Sequence, residues 1–178
     1  PCRVFEWDGC QWKEVALELE EETLREILVQ TTSLPESTAF ETLDPKLGQR
    51  IEIHESYQTW LHSWKQNWKK GSMLTIDYGE IKEKLYLRQP DGTLRAYRQH
   101  QRIEGPPIYH NMGKQDLTAD VNFSDLQNWA SEIGWQNTRM ETQREFIQRT
   151  LPDAVILENT SPSARFVLHP KGAGSAFK

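Results

Sequence analysis

The stretch Gly71-Ser72-Met73-Leu74-Thr75-Ile76-Asp77-Tyr78-Gly79 decides how this chain is read. A short, largely apolar run follows a helical pattern and stops at Asp-Tyr-Gly. Its length is that of a strand, and it lacks the polar alternation of a half-exposed one. It therefore predicts a buried, central, parallel strand of an α/β sheet over residues 73–77, with Leu74 and Ile76 covered. In open α/β sheets ligands sit outside the carboxyl ends of the strands, which puts Asp77 at the ligand-binding edge. A carboxylate there also serves as an ordinary turn residue, so position alone leaves both roles open.

Upstream, Tyr57, Trp60, Leu61, Trp64 and Trp68 fall at helical spacing and predict a helix over 57–70. Ser56 can cap its start, Gly71 can end it, and Lys65, Lys69 and Lys70 suit the negative end of its dipole. Tryptophans beside lysines also suit a stacking platform for single-stranded nucleic acid. A net charge of −5 favours the other reading, a helix packed on a sheet. Further back, Val4 to Trp7, the turn Asp8-Gly9 and the alternating Trp12 to Leu19 predict a β-hairpin. From Glu20 to Leu47 the pattern weakens, with a short helix expected near Thr23 to Leu28.

Downstream, Leu85 to Arg88, the turn Pro90-Asp91-Gly92 and Leu94 to Arg98 predict a second hairpin. After Gly113, the run Asp116 to Phe123 opens a helix through Ile133. Its apolar face is Phe123, Leu126, Trp129, Ala130 and Ile133, and Gly134 closes it. Trp135 to Met140 is expected as a strand. Thr142 with Glu145 fits a capping box, with Phe146, Ile147 and Leu151 inward and Pro152 as the stop. Ala154 to Leu157 and Arg165 to His169 are short β-like runs.

The 178 residues suffice for a real core, and 26% charged against 37% apolar residues fits a globular protein. No apolar run approaches the about 18 residues of a membrane helix, and no signal-peptide pattern opens the chain. Cys2 and Cys10 are too few for a disulfide framework or a zinc site, and the histidines have no metal-site spacing, so no metal is assigned. A cytoplasm-like compartment fits, or the mitochondrial matrix in a eukaryote. Pro1 in place of an initiator Met, and a strand-like ending at Ala176-Phe177-Lys178, are read as the ends of a fragment.

Four segments carry a resemblance to a known family. Gly71 to Gly79 resembles a strand ending in Asp-Tyr-Gly. Thr93-Leu94-Arg95-Ala96-Tyr97-Arg98-Gln99-His100 and Gly113-Lys114-Gln115-Asp116-Leu117-Thr118-Ala119-Asp120-Val121-Asn122-Phe123 are similar to two further motifs. Thr142-Gln143 with Phe146, then Pro170-Lys171-Gly172 to Phe177, follow the closing pattern. In this order and spacing they resemble the second half of the MidA-like methyltransferases, which use S-adenosyl-L-methionine (SAM). Asn122 and Met112 depart from the family pattern, where Asp and Pro are usual.

The resemblance implies the C-terminal part of a Rossmann-like class I methyltransferase sheet with an inserted β-rich segment. Residues 1–55 would be the β-rich, substrate-side insertion, and 56–178 the C-terminal half of the catalytic domain. No G-x-G-x-G turn occurs in the chain, so the main SAM grip is expected upstream of Pro1, and the chain alone is expected to be inactive. Mitochondrial members methylate an arginine of a complex I subunit, which implies a protein substrate, a respiratory-complex subunit among the candidates. For a guanidinium acceptor, carboxylates should supply the clamp. Asp77, Tyr78, Asp116 and Asp120 are the catalytic candidates, and Glu80, His100 and Thr118 the substrate-binding ones. Asp116 and Asp120 serve equally as turn and helix caps, and His100 as a structural histidine. Against the enzyme stands a non-catalytic assembly module derived from such a fold, which a glycine-rich turn upstream would argue against.

Overall fold

The computed structural model of the protein describes residues 2–42, 44–151 and 164–170. The run Ala154–Leu157, the stop at Pro152 and the closing segment 171–178 lie outside the described residues, as does Pro1.

The expected first hairpin forms, with β1 (Arg3–Trp7) antiparallel to β2 (Trp12–Glu20). Its turn is built by Asp8, whose Oδ1 accepts from the amides of Cys10 and Gln11 at 2.8 and 2.9 Å. Where a short helix was expected, β3 (Thr23–Val29) pairs antiparallel with β2. Cross-strand chemistry explains the difference. Arg25 reaches Glu18 at 2.6 Å and Glu20 at 3.2 Å, and Ile27 and Val29 are β-branched. After the short helix α1 (Ala39–Thr42), β4 (Arg50–Ile53) pairs with β1 and completes a sheet in the order β3-β2-β1-β4.

Helix α2 (Glu55–Trp64) is shorter than the expected 57–70. His54, not Ser56, precedes it, and no side chain caps it. The chain leaves the helix after Trp64, and Trp68 lies with its ring 5.1 Å from that of Trp135. Leu61 is fully buried, whereas Trp60 and Trp64 remain 43% and 42% exposed. The tryptophan stripe is therefore only partly a packing face.

The deciding stretch does form a strand, β5 (Met73–Ile76), but neither parallel nor central among the described residues. It is the edge of a three-stranded sheet, order β11-β12-β5, and pairs antiparallel with β12 (Ala164–Pro170). Met73 is buried, while Leu74 and Ile76 are 45% and 54% exposed. The apolar run misled because, among the described residues, the strand is not covered on both faces: Met73 is buried while Leu74 and Ile76 stay open.

Next come β6 (Gly79–Glu80) and α3 (Lys82–Arg88), where the first arm of a hairpin was expected. Lys-Glu-Lys-Leu-Tyr-Leu-Arg is rich in good helix formers and has no β-branched residue, and its Leu85 and Tyr86 are buried. The second arm exists as β7 (Arg95–Arg98). It pairs with β8 (Gln101–Ile103) across Gln99-His100, both at positive φ, and with β9 (Asp116–Thr118). A 3₁₀ turn, Pro106–Tyr109, lies between these strands.

β10 (Val121–Asn122) leads into α4 (Phe123–Glu132), capped by Asn122, whose side chain accepts from the Ser124 amide at 3.1 Å. The expected apolar face of α4 is buried, together with Leu61, Met73 and Trp135. β11 (Trp135–Thr142) follows, then α5 (Gln143–Thr150) with the expected capping box. Leu151 is exposed, against expectation, and α5 has no fully buried residue. A second core joins Phe5, Trp12, Ile51 and Ile53 of the first sheet to Leu85 and Tyr86 of α3. The β-rich segment is thus packed onto the rest of the chain.

Candidate functional site

The chain leaves β5 at Asp77 and runs beside the segment from Asp120 onward, because β6 and β10 pair in parallel. The Val121 amide donates to the Tyr78 carbonyl at 2.8 Å, and Gly79 stands opposite Val121. Only glycine fits there, since a Cβ on Gly79 would lie 2.1 Å from the Val121 carbonyl oxygen. Gly79→Ala is accordingly expected to separate β6 from β10, pulling Asp77 and Tyr78 away from Asp120. A loss of about 2–4 kcal/mol in urea unfolding checks this, by analogy with other steric clashes in packed regions.

Asp77 is half-buried and accepts two hydrogen bonds. Tyr57 Oη donates to Oδ2 at 3.0 Å and the Tyr78 amide to Oδ1 at 2.8 Å. The Tyr57 phenol is pushed up to about 12 by burial and by the charge of Asp77, so it stays a donor at neutral pH. His54 packs its ring 5.9 Å from that of Tyr57, and its Nε2 lies 3.2 Å from the Asp120 carbonyl oxygen. Burial lowers the His54 pKa, which fits a neutral imidazole donating Nε2–H to that carbonyl.

Asp120 is held firmly. Arg95 Nη1 lies 2.8 Å from Oδ1, Gln89 Nε2 donates to Oδ2 at 3.0 Å, and the Asp120 amide donates to Thr93 Oγ1 at 2.9 Å. The Thr93 hydroxyl in turn donates to Glu52 at 3.0 Å. Glu52 is 1% exposed and also accepts from the amides of Thr93 and Leu94, at 2.7 and 3.2 Å. Burial raises its pKa. A second buried carboxylate, Asp125 of α4, accepts from Ser37 and from the amide and hydroxyl of Thr38, each at 2.7 Å. That network fixes the entry to α1 rather than forming a site.

Two crevices flank this junction, and Thr118 lines both. The larger, about 1140 Å³, also takes in Tyr78, Glu80 and Asp120, while the smaller, about 530 Å³, takes in His54, Tyr57 and Asp77. Of the residues expected from the sequence, Asp77, Tyr78, Glu80, Thr118 and Asp120 come together here. Asp116 and His100 do not. Asp116 is exposed at the start of β9, opposite Tyr97, and His100 is exposed in the β7–β8 turn. Tyr57, His54, Glu52 and Arg95 were not singled out as site residues. Tyr57 belongs to the helical apolar stripe, and spacing cannot show that its hydroxyl reaches across to Asp77. Among the described residues no group of three or more His, Cys, Asp or Glu is placed to hold a metal ion, and no helix is long and apolar enough to cross a membrane.

β12 lies antiparallel between β11 and β5, with a carboxylate at the carboxyl end of β5, and the chain's likeness to a solved COG1565 superfamily structure shows this mixed α/β arrangement to be part of a methyltransferase fold. A family model described as "Putative S-adenosyl-L-methionine-dependent methyltransferase" matches residues 1–140, and the chain belongs to that family. Two solved structures from Burkholderia thailandensis are similar. One is a COG1565 superfamily member bound to S-adenosyl-homocysteine, at 19% identity and a TM-score of 0.78 over 97% of this chain and 51% of its own. The other, an uncharacterized COG1565 superfamily protein in its native form, has 19% identity and a TM-score of 0.74 over 97% of this chain and 53% of its own. This chain thus spans about half the length of these structures. No curated protein matches it.

Proposed function

We propose that this chain supplies the acceptor side of a SAM-dependent protein methyltransferase, acting on an arginine of a partner protein. The observation that supports it best is Asp77, held by Tyr57 and the Tyr78 amide at the carboxyl end of β5, with no cation paired to it among the described residues. Each carboxylate oxygen keeps a lone pair, which suits a two-point clamp on a guanidinium. The residues present fit the cationic centre of the reaction: a carboxylate with free lone pairs and the exposed ring of Tyr78. The sequence holds no G-x-G-x-G for the adenosine moiety, and that grip is proposed to lie in a polypeptide of the length of the solved relatives.

SAM, when bound, supplies an electrophilic methyl group on a sulfonium. Asp77 orients the guanidinium so that one nitrogen faces that methyl, and positioning of this kind is the main lever for an in-line transfer. Asp77 or Glu80 can then take up the proton that the methylated nitrogen releases. Arg95 neutralises Asp120, which leaves Asp120 to hold the backbone that carries Thr118 and Ala119. A cytoplasmic or matrix location is part of the same reading.

The test is methyl transfer from isotopically labelled SAM by a polypeptide of the length of the solved relatives, with products hydrolysed to amino acids. Methylarginine is expected. Label in another residue would refute the acceptor, and no transfer to any cell-extract protein would favour the assembly-module alternative.

A further inference from the structure

The two crevices differ in the charge left over once internal pairs are counted. In the smaller one, Arg3 binds Glu14 at 2.7 Å and Glu55 at 3.2 Å, so its guanidinium is committed. Asp77 is then the one carboxylate on that lining with no cationic partner among the described residues. In the larger crevice Asp120 is paired with Arg95 and Glu141 with Arg149, and Glu145 is engaged by Thr142. Lys84 and Arg88 of α3 have no carboxylate partner there among the described residues. Asp77 is thus the single unpaired charge of the smaller crevice, whereas in the larger one the unpaired Lys84 and Arg88 stand with two carboxylates that have no ionic partner among the described residues, Glu80 and Glu145, so its leftover charges offset.

The lining of the smaller crevice mixes polar and apolar side chains, and its large aliphatic ones come from two strands and a loop. Val15 and Leu17 come from β2, Leu94 precedes β7, and Leu117 lies in β9. Leu17 and Leu117 are each 43% exposed and line the same crevice as Asp77. A slot that sets aliphatic side chains and one unneutralised carboxylate on the same lining matches a side chain that joins a methylene stem to a cationic head. We infer that the crevice between β2 and β9 is the acceptor channel, that Leu17 and Leu117 select for the apolar stem, and that Asp77 receives the cationic head. The inference rests on the acceptor-side reading above and adds the channel's location and its specificity residues. It also gives the β-rich segment a part in binding, since β2 supplies one wall.

The probe is the peptide acetyl-Gly-Arg-Gly-amide, titrated into the full 178-residue chain with methyl and amide NMR, beside the citrulline peptide of equal size and no charge. Saturable shifts are expected at Leu17, Leu117 and Ala119 for the arginine peptide, with at least tenfold weaker binding of citrulline. Asp77→Asn should weaken the arginine peptide about tenfold and leave citrulline unchanged. Leu17→Ser with Leu117→Ser should weaken the arginine peptide severalfold, both positions being half-exposed and tolerant. Equal binding of the two peptides, shifts confined to the Lys84 and Arg88 side, or no saturable shift would each overturn the channel. Methyl transfer to arginine without these shifts removes the channel and keeps the functional reading. Shifts without methyl transfer do the reverse.

Discussion

Glu52→Ala is expected to lower the unfolding free energy by about 3–5 kcal/mol, the largest stability loss of any polar substitution considered for this chain. The wild-type carboxylate lies between the first sheet and the loop before β7. There it accepts from two backbone amides and the Thr93 hydroxyl. Alanine leaves those donors buried without acceptors, at roughly 1–3 kcal/mol each before relaxation, and adds a void. Glu52→Gln should behave in the opposite sense. Burial raises the folded-state pKa of Glu52 above its unfolded value of about 4.3. The stability tied to its protonated form is therefore full below the unfolded value and is lost as pH rises through the folded one. Gln keeps an acceptor for the amides and cannot ionise. Urea titrations from pH 4 upward should then show a flatter profile for Gln than for wild type and higher stability at neutral pH. A steeper profile for Gln would contradict this account of Glu52.

Asp77→Asn is expected to cost a polypeptide of the relatives' length about 10²–10³-fold in methyl-transfer rate, the range seen when one preorganised electrostatic contact is removed. The residue is half-buried and sits after β5, so the fold should survive, with urea midpoints close to wild type. Asn keeps a carbonyl for Tyr57 or Tyr78 but loses the charge and one acceptor. Tyr57→Phe should cost less, since it removes the residue that orients the carboxylate and leaves the carboxylate in place. Steady-state rates with saturating SAM, alongside circular dichroism, measure both. An Asp77→Asn enzyme with the wild-type rate would exclude Asp77 from the clamp.

Much of this was legible in the sequence where local chemistry decides. The hairpin at Asp8-Gly9, the capped helix α4 with its apolar face and the capping box at Thr142 depend on neighbours within a few residues, and all are present. Where tertiary partners decide, the reading failed. Residues 23–29 and 82–88 exchanged helix and strand, because cross-strand ion pairs hold the first and burial of Leu85 and Tyr86 fixes the second. β5 was read as covered on both faces, and apolar content cannot reveal that Leu74 and Ile76 stay open. For the site, motif order brought out Asp77, Tyr78, Thr118 and Asp120, which the β6–β10 pairing joins. The residues that hold them, Tyr57 for Asp77 and Arg95 for Asp120, lie 20 and 25 residues away, and Thr93, which accepts from the Asp120 amide, lies 27 away. No short-range pattern carries such information.

The division of labour proposed here is tested most directly by calorimetry with SAM on two polypeptides, the 178-residue chain and one of the relatives' full length. The proposed acceptor side has no G-x-G-x-G in its sequence and should release no measurable binding heat, while the longer polypeptide should bind SAM saturably at one site per chain. Tight SAM binding by the 178-residue chain would contradict the assignment of the cofactor grip to the remainder of the protein.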